Sequence, residues 1–366
     1  MTENNKQKKS ALKVKKGVEQ PSTINVKAVQ KFMHKKHDIL PVEKYIDGIL
    51  SNNRTILSQA ITLIESSLPK HQEIAQQIIK KCLPHSGNSI RVGVTGVPGV
   101  GKSLFIEALG KYITNFNRKL AVLAIDPSSE RSKGSILGDK TRMEELSVDE
   151  NAFIRPSPSA GSLGGVARKT REIIIICEAA GFDTIFIETV GVGQSETAVH
   201  SMVDFFLLLM LAGAGDELQG IKRGIIEMSD AIFINKADGD NIEKAQFAKN
   251  EFQNALHLFP PAESKWTAVT DICSSLTKNG IDRIWETILK YETFTKQNGY
   301  FYKKRKKQEN YRMFETIDQS LKDKFYHNPE IQRLLLEAEK DIQNNNISSY
   351  VAAQKMLDFY FRKIVN

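Results

Sequence analysis

Short apolar runs, most of them followed by a polar segment, alternate with amphipathic stretches through the middle of the chain. The runs that predict buried strands lie at residues 90–95, 120–125, 184–187, 204–212 and 231–234, with a further β-rich stretch at 266–269. Helical spacing of apolar residues includes residues 166–180 and 281–290. Strands that alternate with helices in this way predict an α/β fold with a mostly parallel, doubly wound sheet.

Helical patterns without strands lie on both sides of this central region. Apolar residues recur at helical spacing between residues 41 and 82, and again after residue 302. We expect the first set to pack as a layer on the central domain. The C-terminal helices carry no catalytic signal, and they either pack on their own domain or bury their apolar stripes against a second subunit. We expect the basic run at 303–307 to be a solvated helix face.

The net charge of +8 is concentrated at the N-terminus. Residues 1–40 contain ten lysines against three acidic residues, so this segment carries +7 and the remaining chain only +1. A basic folded surface, which would indicate nucleic-acid binding, is therefore not supported. The segment lacks the arginines of a mitochondrial presequence and the apolar core of a secretory signal, so we expect a disordered lysine-rich tail.

The three cysteines, Cys82, Cys177 and Cys273, are far apart and form no C-x-x-C pair. This spacing argues against a disulfide framework and against a zinc site. No apolar run approaches the roughly 18 residues that a membrane-spanning helix needs. These features predict a cytoplasmic protein with no membrane and no nucleic acid among its partners.

The sequence G-V-P-G-V-G-K-S at residues 96–103 stands between a predicted strand and the start of a predicted helix. This is the pattern and the context of a phosphate-binding loop, in which glycines let successive backbone N–H groups point at phosphate oxygens. Lys102 would reach the β- and γ-phosphates, and the hydroxyl of Ser103 would coordinate Mg²⁺. The candidate phosphate-binding residues are Gly96, Val97, Pro98, Gly99, Val100, Gly101, Lys102, Ser103 and Leu104.

Two carboxylates stand where predicted strands end, at Asp126 and Glu188. Ligands of an open parallel sheet bind beyond the carboxyl ends of its strands, so both carboxylates can face the nucleotide and its metal ion. A single Asp at a strand end is also typical of a turn or a cap, but the phosphate loop favours the metal role. Glu188 precedes Gly191 by three residues, which is a Walker-B-like arrangement, and Gln194 is a candidate for orienting the attacking water.

Two glycine-containing polar loops, at residues 134–143 and 213–224, are predicted to lie on the same rim as the phosphate loop. Such loops suit a switch that becomes ordered when the γ-phosphate and Mg²⁺ are bound. For the second loop, a plain connection between a strand and a helix is an equally good interpretation.

The sequence N-K-A-D at residues 235–238 follows a predicted strand, about 130 residues after the phosphate loop. The Asp carboxylate can accept hydrogen bonds from N1–H and the N2 amine of guanine, a donor pair that adenine lacks, so ATP would leave it unpaired. A later small loop can meet guanine O6 through backbone N–H groups. The candidate base-binding residues are Asn235, Lys236, Asp238, Ser274, Ser275 and Leu276. The sequence therefore predicts a GTPase.

The order of these segments closely resembles the MeaB/ArgK-type GTPases, which accompany adenosylcobalamin-dependent methylmalonyl-CoA mutase. Besides the phosphate and guanine loops, the resemblance rests on V-L-A-I-D-P-S-S, G-S-I-L-G-D-K-T-R-M, E-T-V-G-V-G-Q-S-E and G-A-G-D-E-L-Q-G-I-K-R-G-I. It covers roughly residues 41–300. Leu104 replaces the Thr that often follows the loop serine, and Ala212 stands where members commonly have Pro. Neither change removes a ligand on which the prediction depends.

The resemblance implies a P-loop GTPase fold and a chaperone rather than a metabolic enzyme. Such proteins bind the mutase, use GTP binding and hydrolysis to gate cofactor entry, and protect or reactivate the mutase. The resemblance also implies a homodimer joined through the C-terminal helices. The predicted organisation is a disordered tail (1–40), an N-terminal helical region (41–88), a GTPase domain (89–298) and a C-terminal helical dimerisation arm (299–366).

Site residues are also implied by the resemblance. Those that would surround Mg²⁺ are Ser103, Asp126, Asp139 and Glu188. The loop 213–222 would be a third switch, and Lys222 is the candidate for a residue that contact with the mutase moves. The sequence marks no obvious arginine finger, so we expect hydrolysis to be slow alone and faster with the partner. The catalytic candidates are Lys102, Asp126, Glu188, Gln194 and Lys222.

Three alternatives stay open. The same GTPase role could serve another cobalamin-dependent acyl-CoA mutase, such as isobutyryl-CoA mutase. A kinase acting in amino-acid transport is disfavoured by N-K-A-D and by the lack of an H-R-D-like element. A nickel-insertion GTPase is disfavoured because few cysteines are available to carry metal.

Overall fold

Seven parallel strands form the centre of the computed structural model, which describes residues 39–126, 143–158, 163–189, 195–213 and 223–365. The strands are β1 (Ile90–Gly96), β2 (Leu120–Asp126), β3 (Ala152–Pro158), β4 (Thr184–Thr189), β5 (Phe205–Leu211), β6 (Ala231–Asn235) and β7 (Val269–Ile272). Their order in the sheet is β3-β2-β4-β1-β5-β6-β7, and every neighbouring pair is parallel. The predicted α/β fold is confirmed.

Helices precede, connect and follow the strands. They are α1 (Val42–Leu50), α2 (Arg54–Glu65), α3 (Pro69–Cys82), α4 (Lys102–Thr114), α5 (Glu144–Ser147), α6 (Leu163–Ala179), α7 (Ser195–His200), α8 (Arg223–Met228), α9 (Ile242–Leu256), α10 (Ile281–Gln297), α11 (Tyr300–Tyr326), α12 (Pro329–Gln343) and α13 (Ser349–Val365). Over the described residues, no helix is long and apolar enough to cross a membrane.

The central strands are apolar because helices cover them. β5, with the sequence F-F-L-L-L-M-L, is buried at six of its seven positions, as expected of a parallel strand inside a sheet. Since all strands run in one direction, their carboxyl ends meet at one edge of the sheet, which we call the carboxyl edge. The opposite edge, where the strands begin, we call the amino edge. Gly96, Asp126, Thr189 and Asn235 are the last residues of four strands at the carboxyl edge.

The N-terminal helices pack on α6, while α4 packs on α10. Helix α2 begins at a capped end, because the side chain of Asn53 accepts hydrogen bonds from the backbone N–H groups of Thr55 and Ile56. The buried face of α2 contains Ala60, Ile61 and Ile64 of the predicted helical pattern, together with Leu57.

Two expectations for the C-terminal half need correction. The last strand begins only at Val269, the end of the β-rich stretch at 266–269, and Trp266 lies before it with its Nε1 donating to the Asp230 carbonyl oxygen at 3.0 Å. The basic run at 303–307 is only partly a solvated face. Its residue Lys304 is buried, and Arg305 forms an ion pair with the buried Asp204 at 2.6 Å.

Candidate nucleotide site

The phosphate loop joins β1 to α4 at the carboxyl edge, and its glycines answer two different needs. Gly99 and Gly101 have φ angles of +76° and +90°, a left-handed conformation that other residues adopt at a cost. At Gly96 the need is space, because a Cβ atom there would lie 2.5 Å from the carbonyl oxygen of Leu209 on β5. The conformation and the packing of the loop therefore require these glycines, in addition to any contact with phosphate.

Lys102 begins α4, and its side chain folds back over the loop. Its Nζ donates to the carbonyl oxygen of Gly96 at 3.0 Å. Burial lowers the pKa of Lys102, and the carboxylates of Glu188 and Glu196 act in the opposite direction. The ammonium group is thus held by a neutral carbonyl oxygen, a contact that it can exchange for a phosphate oxygen.

Ser103 and Glu188 come together because β1 and β4 are neighbours in the sheet. Val94 pairs with Glu188 in register, and Ser103 Oγ donates to Glu188 Oε1 at 3.2 Å. The next residues on the two strands are also joined, since Thr189 Oγ1 donates to Thr95 Oγ1 at 2.9 Å. A hydroxyl and a carboxylate at hydrogen-bond distance are oxygen donors of the kind that Mg²⁺ prefers.

The structure does not describe the side chains of the other predicted metal ligands or of two catalytic candidates. Asp126 is the last residue of β2, which lies next to β4, but its side chain is not among those described. Asp139, Gln194 and Lys222 lie outside the described residues altogether. Within the described part of the chain, no group of three or more His, Cys, Asp or Glu residues is placed to hold a metal ion. Mg²⁺ binding stays a prediction.

Asn235 links the phosphate loop to the predicted base-binding loop. Its Nδ2 donates to the Val100 carbonyl oxygen at 2.8 Å, while its Oδ1 accepts from the backbone N–H and the hydroxyl of Ser275 at 3.1 and 2.9 Å. The residue is 1% exposed. The amide therefore fixes the spacing of two loops that are far apart in the sequence, a role that the N-K-A-D pattern alone did not indicate.

Asp238 is oriented by the same base-binding loop. Ser274 Oγ donates to Asp238 Oδ2 at 2.5 Å and accepts from the backbone N–H of Thr277 at 3.1 Å. The backbone at Lys236 is left-handed, with a φ angle of +59°. Leu276, which is 73% exposed, follows the two serines. The structure thus brings the predicted guanine residues together at the ends of β6 and β7.

Glu196 is a residue of this region to which the sequence reasoning gave no role. It lies in the first turn of α7, is 2% exposed, and its charge acts on the pKa of Lys102. The available signal was its position, since it is an acidic residue in the first turn of the helix that follows β4. Helix α7 itself packs on β1 and β4.

Known proteins with similar sequences share this whole region. The model of the family described as "Methylmalonyl Co-A mutase-associated GTPase MeaB" matches residues 57–330. The GTPase ArgK of Escherichia coli (strain K12) is 42% identical over 314 residues, which are 86% of this chain and 95% of that protein. The mitochondrial methylmalonic aciduria type A homolog of Mus musculus is 42% identical over 326 residues, which are 86% of this chain and 79% of that protein.

A solved structure extends the similarity to the fold. The crystal structure of a LAO/AO transport system kinase superposes with a TM-score of 0.71 at 34% identity, covering 88% of this chain and 99% of that one. The predicted resemblance is confirmed by the family match and by these relatives. The chain belongs to the MeaB family of methylmalonyl Co-A mutase-associated GTPases.

Proposed function

We propose that this GTPase is a chaperone of an adenosylcobalamin-dependent methylmalonyl-CoA mutase. GTP binding and hydrolysis gate the loading of the cofactor, and the protein protects or reactivates the mutase. The observation that carries the proposal is the carboxyl edge, where the Lys102 loop, the Ser103–Glu188 pair and the Asn235–Asp238 segment stand in a chain of a mutase-associated family.

The phosphates are bound by the loop between Gly96 and Ser103. Backbone N–H groups of the loop and the start of α4 face the phosphate oxygens, and the partial positive charge at the helix start adds to the attraction. Lys102 leaves the Gly96 carbonyl oxygen for the β- and γ-phosphates. Because burial already lowers the pKa of this lysine, a new negative partner stabilises its charged form more than the carbonyl does.

The Ser103 hydroxyl and the Glu188 carboxylate are the described residues that would hold Mg²⁺, with Asp126 and Asp139 as further ligands by resemblance. Their present hydrogen bond keeps both oxygens at the phosphate end of the site. A Mg²⁺ ion held there would supply positive charge that neutralises the β- and γ-phosphate oxygens during hydrolysis. Lys102 adds a second positive charge on the same oxygens.

The guanine base is recognised by the loops after β6 and β7. Asp238 accepts from N1–H and the N2 amine, and Ser274 keeps its carboxylate oriented. The backbone N–H of Ser275 turns from Asn235 to guanine O6, and the Ser275 hydroxyl continues to donate to Asn235. The loss of these paired contacts with adenine explains the preference for GTP over ATP.

Hydrolysis is slow without the partner in this proposal. Gln194 orients water and Lys222 moves on contact with the mutase, so the mutase completes the site. The C-terminal arm joins two copies of the chain. Support for a homodimer comes from large apolar side chains that α11–α13 leave exposed, which include Tyr302, Phe314, Ile317, Leu321, Leu336, Tyr350 and Phe361.

Two alternatives lead to different results. Another cobalamin-dependent acyl-CoA mutase as client would leave the GTP chemistry unchanged. The kinase alternative has a specific observation behind it, since the structural relative is described as a transport system kinase. The guanine contacts proposed for Asp238 argue against it, and transfer of phosphate from radiolabelled ATP to a transport protein would revive it.

The test is capture of the partner from native extract with the full-length protein, once with GDP and once with a non-hydrolysable GTP analogue. We expect a methylmalonyl-CoA mutase to be recovered in amounts that depend on the nucleotide. The variant Asp238→Ala should lose that dependence, while Asp240→Ala, two residues away and exposed, should keep it. Recovery of a different acyl-CoA mutase would identify another client. If no mutase is recovered in a nucleotide-dependent way, the proposal is contradicted.

A further inference from the structure

Helix α7 lies between the nucleotide site and the C-terminal arm. Its first turn carries Glu196, whose charge acts on Lys102 of the phosphate loop. Along its length it packs on β1, where Gly93 leaves space for it: a Cβ atom there would lie 3.0 Å from Val199 Cγ1. Helix α8, which begins directly after the predicted third switch, also contacts α7. Helix α7 is therefore in contact with the strand that leads into the phosphate loop and with α8.

The end of α7 is joined to the arm through Arg171, which donates hydrogen bonds toward both. Ser201 Oγ donates to the Ala198 carbonyl oxygen at 2.6 Å and accepts from Arg171 Nη2 at 2.6 Å. Arg171, on α6, donates through Nη1 to Glu315 on α11. Its guanidinium group also lies over the ring of Tyr311, 5.7 Å from the ring centroid. One buried arginine thus holds the end of α7 and two residues of the arm.

The segment that follows α7 is fastened to the arm as well. Gln308 Nε2 donates to the Val203 carbonyl oxygen at 2.8 Å, and Lys304 Nζ donates to the Asp204 carbonyl oxygen at 2.7 Å. The two parts are closely packed here, with a cavity of only about 20 Å³ beside Arg171, Ser201 and Gln308. A displacement of the end of α7 would therefore move α11 rather than be lost in solvent.

We propose that Arg171 is a positioning residue that transmits the nucleotide-dependent position of α7 to the C-terminal arm through Ser201, Tyr311 and Glu315. The inference rests on the proposed function in one respect, since it takes GTP binding and hydrolysis at the carboxyl edge as the event that is transmitted. It adds a defined route from that event to the arm. The contacts of Arg171 are with Ser201, Tyr311 and Glu315 rather than with the phosphate or base-binding loops, so we expect its removal to leave nucleotide binding in place.

The test is hydrogen exchange of α11 in the full-length protein with Mg²⁺ and either GDP or a non-hydrolysable GTP analogue. In the wild type we expect the amides of residues 304–315 to exchange at rates that differ about tenfold between the two states, a usual size for coupling between sites. In Arg171→Met the difference should fall below about twofold, while the affinity for GDP stays within about twofold of wild type. Arg333→Met, which removes an exposed ion pair on α12, is the matched control and should behave as wild type.

Two further variants separate transmission from a general loss of packing. Ser201→Ala removes a single hydroxyl and should reduce the exchange difference in the same direction, even where Arg171→Met does not fold. Exchanging the charges in Arg171→Glu/Glu315→Arg should restore part of the difference that each single change removes. Adding Glu315→Gln to Arg171→Met should have no further effect if both residues act in one route.

The outcomes are distinct. If the wild-type chain hydrolyses GTP but α11 exchanges equally in both states, the inference is wrong and the proposed function stands. The same conclusion follows if Arg171→Met and Ser201→Ala both keep the full difference. If the wild-type chain binds no GTP, the proposed function fails, and the inference fails with it.

Discussion

The two edges of the sheet hold charged groups in opposite ways. At the carboxyl edge, Lys102 rests on a carbonyl oxygen of its own loop and Ser103 donates to Glu188. At the amino edge, Asp204 is 1% exposed and accepts from both Nε and Nη2 of Arg305, at 2.8 and 2.6 Å, and from the backbone N–H of Arg91 at 2.8 Å. The groups at the carboxyl edge can give up these contacts for contacts with a ligand. At the amino edge, the carboxylate of Asp204 is buried and already paired, so it is not available to a ligand.

The amino edge continues this pattern on β1 and α6. Glu178 accepts from two nitrogens of Arg91 at 2.9 and 3.0 Å, and from the hydroxyl of Ser89 at 2.5 Å. Arg305 also donates to the carbonyl oxygens of Gly87 and Ser89, each at 2.6 Å. The protein thus places buried, fully paired charges where the arm meets the sheet, and charges with replaceable partners at the candidate nucleotide site.

The largest effect on stability should come from Arg305→Met. The substitution leaves Asp204 buried without its partner, and breaking such a pair costs about 3–5 kcal/mol of the free energy of unfolding. Urea denaturation measures the loss. The control is Lys303→Met, two residues earlier on α11 in an exposed ion pair, which should change little. A loss below about 1 kcal/mol for Arg305→Met would show that the amino edge is not fixed in this way.

Lys102→Met tests the other side of the comparison. Removing the charge that we propose lies on the phosphates should lower the affinity for GTP by about 100-fold, since contacts to charged groups are strong. The free energy of unfolding without nucleotide should change by less than about 1 kcal/mol, because the lysine only exchanges a carbonyl contact. Titration calorimetry and urea denaturation provide the two values. A large stability loss with intact binding would reverse the assignment of roles.

His200 should make the amino edge sensitive to moderate acid. Burial lowers the pKa of His200 to about 4, and the charge of Lys304 acts in the same direction. An unfolded histidine titrates near 6.5, so between about pH 6.5 and 4 the unfolded chain binds a proton that the folded chain does not. Stability is therefore complete above the upper value and falls as the pH decreases through this window, by on the order of 3 kcal/mol.

The measurement is the free energy of unfolding between pH 4.5 and 7.5 for the wild type and for His200→Phe. The substitution should remove that part of the pH dependence, whereas His85→Phe, at an exposed position, should leave the slope unchanged. Equal slopes for wild type and His200→Phe would mean that the histidine is not kept neutral by burial.

The smallest effect should come from Glu263→Ala. Lys303 and Lys307 both pair with Glu263 and lower its pKa to about 2, yet all three side chains are largely exposed. Water and salt screen such pairs, so the urea midpoint should not change measurably. A clear change in the urea midpoint would mean that exposed ion pairs also stabilise the arm, and that burial of the pair is not the deciding factor.

The sequence was sufficient for the parts of the fold and the site that local chemistry determines. The phosphate loop was predictable because its residues interact with near neighbours in the sequence: Gly99 and Gly101 adopt left-handed backbone angles, and Lys102 contacts Gly96. The alternation of apolar runs with helical patterns was sufficient for a parallel sheet. The family followed from the same segments and is confirmed by the comparisons.

Contacts between distant residues were beyond sequence reasoning. Asn235 reaches Val100 across the sheet, and nothing in N-K-A-D shows that bridge. Arg305 looked like part of a solvated basic run, because the run gives no sign that Asp204 lies beneath it. Arg171 looked like one more charge in an amphipathic helix, because its partners on α7 and α11 come from two separate parts of the chain. All three sets of contacts depend on the order of the strands and on the packing of the helices, which the sequence patterns do not specify.

We propose that the mutase completes the nucleotide site, and the decisive measurement is the rate of GTP hydrolysis. Single-turnover GTP hydrolysis by the full-length protein with Mg²⁺ is measured with and without a purified adenosylcobalamin-dependent methylmalonyl-CoA mutase. We expect slow hydrolysis by the protein alone and an acceleration of about tenfold or more with the mutase, since a charge or water-positioning group supplied in trans has effects of at least that size. Equal rates under both conditions would contradict the proposal.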